Sequence, residues 1–163
     1  MNQAEFQAIR DDPAKYVVAE IRWLEDEDHS PAVQFRVEIQ SQTGYSLFAS
    51  GTYNGLLDKL SYVVVAKGIG CIFRLCLGSD HHNPSCQNVG GDRHVHIWDE
   101  VTRDHEAAVA NWVTANADDP VTVWKEFCKR LTSYIRARWR RVARVRHPRA
   151  QRSKGRIGAY IGQ

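Results

Sequence analysis

The feature that most constrains the fold is a strict alternation of apolar and polar side chains over residues 32–40. The apolar residues are Val33, Phe35, Val37 and Ile39, and the residues between them are polar or charged. Successive side chains of a β-strand point to opposite faces, so this period predicts a strand between a hydrophobic core and solvent. A sheet that is buried on one face needs a second layer to cover it.

Other segments rich in β-branched and aromatic residues predict further strands. These segments are residues 15–24, 45–50, 71–77 and 94–98. An acidic turn joins the first of them to residues 32–40 as a hairpin. Residues 56–66 are ambiguous, because their first half is compatible with a helix whereas Tyr62 and the three valines after it favour a strand.

Helical spacing and capping residues predict the remaining elements. Residues 2–11 form a short helix that ends before Pro13, and residues 104–114 form an amphipathic helix. Asp119 is an N-cap and Pro120 a first helical residue, and they begin a longer helix that runs to about residue 146.

These patterns together predict an α+β fold. We expect an antiparallel sheet of about five or six strands in the first two-thirds of the chain, packed by C-terminal helices. With 163 residues, of which 43% are hydrophobic, the chain can bury a core. We expect one domain over residues 1–146 and a basic, flexible tail over residues 147–163.

The sequence contains no segment that predicts a membrane span or export. The longest apolar run, residues 62–66, is too short to cross a bilayer, and the N-terminus lacks the pattern of a signal peptide. We therefore expect a cytoplasmic protein without disulfides. Cys71 and Cys76 are separated by an odd number of positions, which predicts opposite faces of a regular strand.

Four of the seven histidines fall within sixteen residues, a density of titratable and metal-binding groups found nowhere else in the chain. His81 and His82 lie among turn-forming residues. His94 and His96 are two positions apart in an apolar run, so both imidazoles point to the same face of the predicted strand. We therefore expect a polar site where this strand meets the loop.

One interpretation of the site is metal-free cleavage of an RNA phosphodiester. Two imidazoles supply the general base and the general acid, and an arginine stabilises the negative charge on the non-bridging oxygens. Arg74 and Arg93 are close in sequence to the two ends of the histidine loop. The loop and strand histidines are the candidates for the two imidazoles, and Arg74 or Arg93 is the candidate for the cation. This reaction requires no cofactor.

A second interpretation is a divalent metal site, with zinc or manganese as the ion. Its ligands are His82, His94 and His96, and the set is completed from His81, Asp80, Asp92 or Cys86. A hydrolytic centre also needs a general base, for which the candidates are Asp92, Asp99 and Glu100. A purely structural explanation stays open as well, in which the turn and strand histidines only satisfy local hydrogen bonds.

The pattern around these residues resembles an uncharacterised family of small bacterial proteins. The matching string contains the strand around Arg74, His82-Asn83-Pro84, Gly91, and His94-Val95-His96 with Glu100 after it. The order of histidines is also similar to that of small ribonuclease-like toxins of toxin–antitoxin modules. That similarity implies that His82, His94, His96 and Arg74 carry the site, whereas the first family has no established activity.

The charge of the chain is divided between two regions. Residues 1–126 carry a net charge of −9, and residues 127–163 carry +12 without any acidic residue. Arginines with an interleaved tryptophan favour phosphate contacts and base stacking. The candidate nucleic-acid-binding residues are Arg136, Arg138, Trp139, Arg140, Arg141, Arg144, Arg146, Arg149, Arg152, Lys154 and Arg156. RNA is the favoured partner. The alternatives are an acidic protein, an antitoxin or the chain's own acidic body, and no membrane partner is expected.

Two functional hypotheses follow. The first is a nucleic-acid-acting enzyme, an RNase-type toxin or defence-related nuclease of a bacterium or phage, that uses the histidine cluster. The second is a non-catalytic inhibitor or accessory factor, encoded by a phage or mobile element, in which the histidines are structural or hold a structural metal.

Overall fold

The computed structural model describes residues 1–29, 31–85, 88–89 and 92–131. These residues form two helices and ten strands. The helices are α1 (Gln3–Asp11) and α2 (Pro120–Arg130). The strands are β1 (Tyr16–Val17), β2 (Leu24–Glu25), β3 (Val33–Gln40), β4 (Leu47–Asn54), β5 (Lys59–Ala66), β6 (Gly70–Leu77), β7 (His81–His82), β8 (Asn88–Val89), β9 (Arg93–Ile97) and β10 (Ala107–Val109).

Eight of these strands form one antiparallel sheet. Their order is β1-β3-β4-β5-β6-β9-β10, and β2 pairs with the other end of β3. Strands β3 to β6 are a meander in which each strand pairs with the next along the chain. Strands β7 and β8 form a separate two-stranded hairpin between β6 and β9. The predicted α+β class is confirmed, and three very short strands make the sheet wider than expected.

The alternation that defined β3 in the sequence appears as alternating burial along the whole strand. Its apolar side chains face the two helices, which lie on one side of the sheet. Tyr62 stands at the centre of this core, with ring centroids 5.1 Å from Trp124 and 5.6 Å from Phe127. Its hydroxyl donates to the Pro120 carbonyl at 2.6 Å, which attaches the start of α2 to the sheet.

Two of the three predicted helix starts are confirmed. α1 begins with a capping box between Asn2 and Glu5, and in α2 the Asp119 side chain accepts from the Thr122 amide at 3.1 Å. Residues 132–146, over which the second helix was expected to continue, and the basic tail lie outside the described residues. Neither α1 nor α2, with 9 and 11 residues, is long and apolar enough to span a membrane within the described chain.

The prediction of a helix over residues 104–114 is wrong. This segment forms turns and β10, which pairs with β9 through Ala107↔His96 and Val109↔His94. The edge of β9 offers backbone hydrogen bonds to this segment, and these bonds favour a strand more than the spacing of its apolar residues favours a helix.

The strand expected over residues 15–24 is also interrupted, because β1 and β2 pair with opposite ends of β3. In the ambiguous segment, β5 begins at Lys59 after a turn.

A β-bulge in β6 corrects the expected orientation of the cysteines. Val64 pairs with Phe73 but Val65 pairs with Cys71, so Ile72 is an extra residue in the strand. The extra residue reverses the alternation, and Ile72 and Phe73 are both buried in the core. Cys71 therefore lies on the same face as Cys76, opposite to the helices.

Lys15 connects the C-terminal ends of both helices. It is only 4% exposed, and its ammonium donates to the carbonyls of Ile9, Arg10 and Leu131. A positive charge at a helix C-terminus is favourable because the last carbonyls are unpaired. Burial lowers the pKa of Lys15 to about 8, against the attraction of the Asp12 carboxylate.

We predict that Lys15→Met lowers the free energy of unfolding by about 1–3 kcal/mol, because two buried hydrogen bonds and one partly buried one to backbone carbonyls are lost. Urea denaturation measures this change. Lys67→Met, at an exposed lysine, is the matched control and should change stability by less than about 0.5 kcal/mol. Equal stability of the two variants would contradict the assigned role of Lys15.

Candidate functional site

The pairing of β6 with β9 builds the first half of the site. Cys76 lies directly opposite His94, and Arg74 lies opposite His96. Residues opposite each other in an antiparallel pair share a face, so all four side chains project from the side that the helices do not cover. The expectation that His94 and His96 share a face is confirmed.

The β7–β8 hairpin covers this face and supplies a third imidazole. The His81 ring centroid lies 4.5 Å from that of His96 and 5.2 Å from that of His94. Neighbouring residues in a strand point in opposite directions, so His82 faces solvent and is exposed. The structure thus brings His81, rather than the predicted His82, to the strand pair.

Two sets of hydrogen bonds hold the hairpin in place. The buried Asn83 amide donates to the Ala107 carbonyl at 2.9 Å and accepts from the Ala107 amide at 2.8 Å. At the base of the loop, the Gly78 amide donates to the Asp92 carbonyl at 2.8 Å. Gly78 has φ 76°, and a Cβ there would lie 2.2 Å from the Asp58 carbonyl oxygen, so the position requires glycine.

The backbone fixes the tautomer of His96. Its Nδ1 lies 2.8 Å from the Asp104 carbonyl oxygen, which can only accept, so Nδ1 carries the proton and Nε2 holds a lone pair. Burial, together with the nearby Arg74 guanidinium, lowers the pKa of His96 to about 4. At neutral pH His96 is therefore an uncharged imidazole.

His94 and His81 each have a ring nitrogen without a partner. Nδ1 of His94 and Nε2 of His81 are buried, and neither has a hydrogen-bond partner among the described residues. Burial lowers the pKa of His94, and His81 adds to this effect while the Ser79 backbone opposes it. A buried polar atom without a partner costs about 1–3 kcal/mol, so two in one place need an explanation.

A cysteine that sequence reasoning did not assign to the site completes the cluster. Cys76 Sγ and one ring nitrogen each of His94 and His96 all lie within 4.8 Å of one another. We call Cys76, His81, His94 and His96 the histidine cluster. The signal for Cys76 in the sequence was its spacing of two from Arg74, which places both side chains on one face of β6.

Four of the other candidates have polar partners of their own, whereas Asp80 and Asp92 are exposed. Arg74 binds the Asp104 carboxylate at 2.8 Å, beside the cluster. Arg93 points to the opposite face of β9 and donates to the Val113 carbonyl at 2.7 Å. Asp99 accepts from two amides of its own turn, and Glu100 accepts from the Gln3 amide. Cys86 and the eleven candidate residues of the basic segment lie outside the described residues.

The geometry restricts the chemistry of the cluster. His94 and His96 are both 3% exposed, which leaves a macromolecular substrate little access to them. A neutral His96 whose only N–H is held by a carbonyl is a poor general acid at neutral pH. A neutral imidazole with a free lone pair is, however, the form that binds a metal.

Residues 1–132 match the sequence family described as "Family of unknown function (DUF6978)". The chain belongs to this family. The matched region contains the whole histidine cluster and ends before the arginine-rich segment that begins at Arg136. No curated protein and no solved structure matches the chain. Membership of DUF6978 therefore fits the predicted resemblance to an uncharacterised family and brings no activity with it.

We predict that His81→Ala and His82→Ala have different effects, although the residues are neighbours. Removal of His81 should shift the ring-nitrogen NMR resonances of His94 and His96 and lower stability by about 1 kcal/mol or more, because a half-buried ring is lost. His82→Ala should leave the stability and the His94 and His96 resonances unchanged. A larger effect of the His82 variant would mean that the hairpin presents its other face to the strands.

Proposed function

We propose that this protein binds nucleic acid through its basic C-terminal segment, and that the histidine cluster is a structural centre of the folded body. The observation that carries this proposal is the division of charge, with −9 over residues 1–126 and +12 over residues 127–163. A compact acidic body would repel a polyanion, so contact with one falls to the basic segment.

The composition of the basic segment supports phosphate as its target. Residues 136–156 contain nine arginines and one lysine, and Trp139 lies among the arginines. Guanidinium groups form bidentate hydrogen bonds with phosphate and stack on bases, and tryptophan adds a stacking surface for unpaired bases. Single-stranded RNA, whose bases are accessible for stacking, is the favoured ligand.

The burial of the histidine cluster favours binding over cleavage. In a metal-free ribonuclease, two imidazoles and a cation must reach the same phosphodiester. Here two imidazoles are 3% exposed and Arg74 is paired with Asp104. The nuclease and toxin hypotheses are accordingly the alternative outcomes of the test below.

We predict that the full-length protein binds a mixed-sequence single-stranded RNA with an affinity that falls steeply with salt. Each phosphate contact contributes about 0.7 to the slope of log affinity against log salt for single strands. The triple substitution Arg140→Gln, Arg141→Gln, Arg144→Gln should therefore reduce that slope by about 2. Fluorescence anisotropy across a salt series measures it.

The matched control is Lys59→Gln, Lys67→Gln, Lys125→Gln, which removes three exposed charges from the body and should change the slope much less. Absence of RNA and DNA binding at low salt would overturn the proposal and favour an acidic protein or the chain's own body as the partner. Cleavage of either nucleic acid that His94→Ala abolishes would replace it with the nuclease hypothesis.

A further inference from the structure

We propose that Cys76, His94 and His96 bind one zinc ion, with His81 as the fourth ligand. This inference goes beyond nucleic-acid binding and does not depend on it. The three residues on β6 and β9 offer one sulfur and two nitrogen atoms that all lie within 4.8 Å of one another. The ring of His81 closes the same space from the hairpin.

The spacing of the three ligand atoms is close to that of a zinc site. Zinc–sulfur and zinc–nitrogen bonds of about 2.3 and 2.0–2.1 Å place tetrahedral ligands about 3.3–3.6 Å apart. A triangle with sides of at most 4.8 Å needs each ligand atom to move inward by less than about 1 Å. Side-chain rotation can supply this shift while the paired strands stay in register.

Each imidazole has a nitrogen ready to bind the ion. The Asp104 carbonyl holds the proton of His96 on Nδ1, which leaves Nε2 as the ligand atom. Such a hydrogen bond from the non-ligating nitrogen to a carbonyl is the usual support of a metal-binding histidine. Nδ1 of His94 and Nε2 of His81 are both buried, and neither has a hydrogen-bond partner in the described chain. An ion at the centre of the cluster would satisfy both.

The chemistry of the donors selects the metal. Thiolate and imidazole ligands suit zinc, whereas manganese prefers oxygen. Four protein ligands make a closed site, as in structural zinc centres, since a catalytic zinc keeps a position for water. Bound zinc would connect the hairpin to β6 and β9, on the sheet face opposite to α1 and α2.

The first test uses the full-length protein, stripped with a chelator and titrated with zinc chloride against a chromophoric competitor. We expect one tightly bound zinc per chain. Titration with cobalt chloride should produce thiolate-to-cobalt charge-transfer absorption and the strong visible bands of tetrahedral cobalt. Zinc added afterwards should remove both signals.

Matched variants locate the ligands. Cys76→Ser should abolish the charge-transfer band and weaken zinc binding by more than the roughly 10- to 100-fold that loss of a supporting residue costs. Cys71→Ser, on the same strand and face, should keep the band. His81→Ala should weaken zinc binding and change the visible bands, whereas the neighbouring His82→Ala should do neither.

Two outcomes would overturn the proposal. One is a stripped wild-type protein that binds neither zinc nor cobalt stoichiometrically. The other is a Cys76→Ser variant with the zinc affinity and the cobalt spectrum of the wild type. Circular dichroism shows whether each variant is folded. If His81→Ala fails to fold, the wild-type cobalt spectrum and the two cysteine variants still decide the question.

Discussion

The register of β6 against β9 is the interaction on which the rest of the site depends. It places Leu75 opposite Val95 on the core side and Cys76 opposite His94 on the other side. A slip of β9 by one residue would turn both imidazoles into the apolar core and would expose Val95, which is only 4% exposed in the observed register. The hydrophobic core thus holds the polar cluster in place.

A second constraint follows from burial. Among the described residues, α1 and α2 lie on one side of the sheet, and on the other side the hairpin covers His94 and His96 rather than apolar residues. Burial of imidazoles without partners is unfavourable, and the carbonyl of Asp104 satisfies only one of them. The proposed zinc ion would resolve this imbalance, because it would bind the lone pairs of the buried imidazoles. The acidic body then carries the basic segment, on which the proposed contact with nucleic acid depends.

Much of this architecture could be predicted from local sequence patterns. The alternation in β3, the shared face of His94 and His96, and the Asp119 cap each depend on one element alone. Three other features could not be predicted in this way, because they depend on pairing between residues that are distant in the sequence. β10 replaces a helical pattern because β9 has a free edge, and the bulge at Ile72 moves Cys71 to the face of Cys76. The choice of His81 over His82 is set by hydrogen bonds between Asn83 and Ala107, which no short-range rule contains.

X-ray absorption spectroscopy at the zinc edge, on the zinc-loaded, full-length protein, tests the proposed zinc site. We predict four-coordinate zinc with one sulfur at about 2.3 Å and three imidazole nitrogens at about 2.0–2.1 Å. A first shell without sulfur, or one that consists mainly of oxygen, would contradict this prediction.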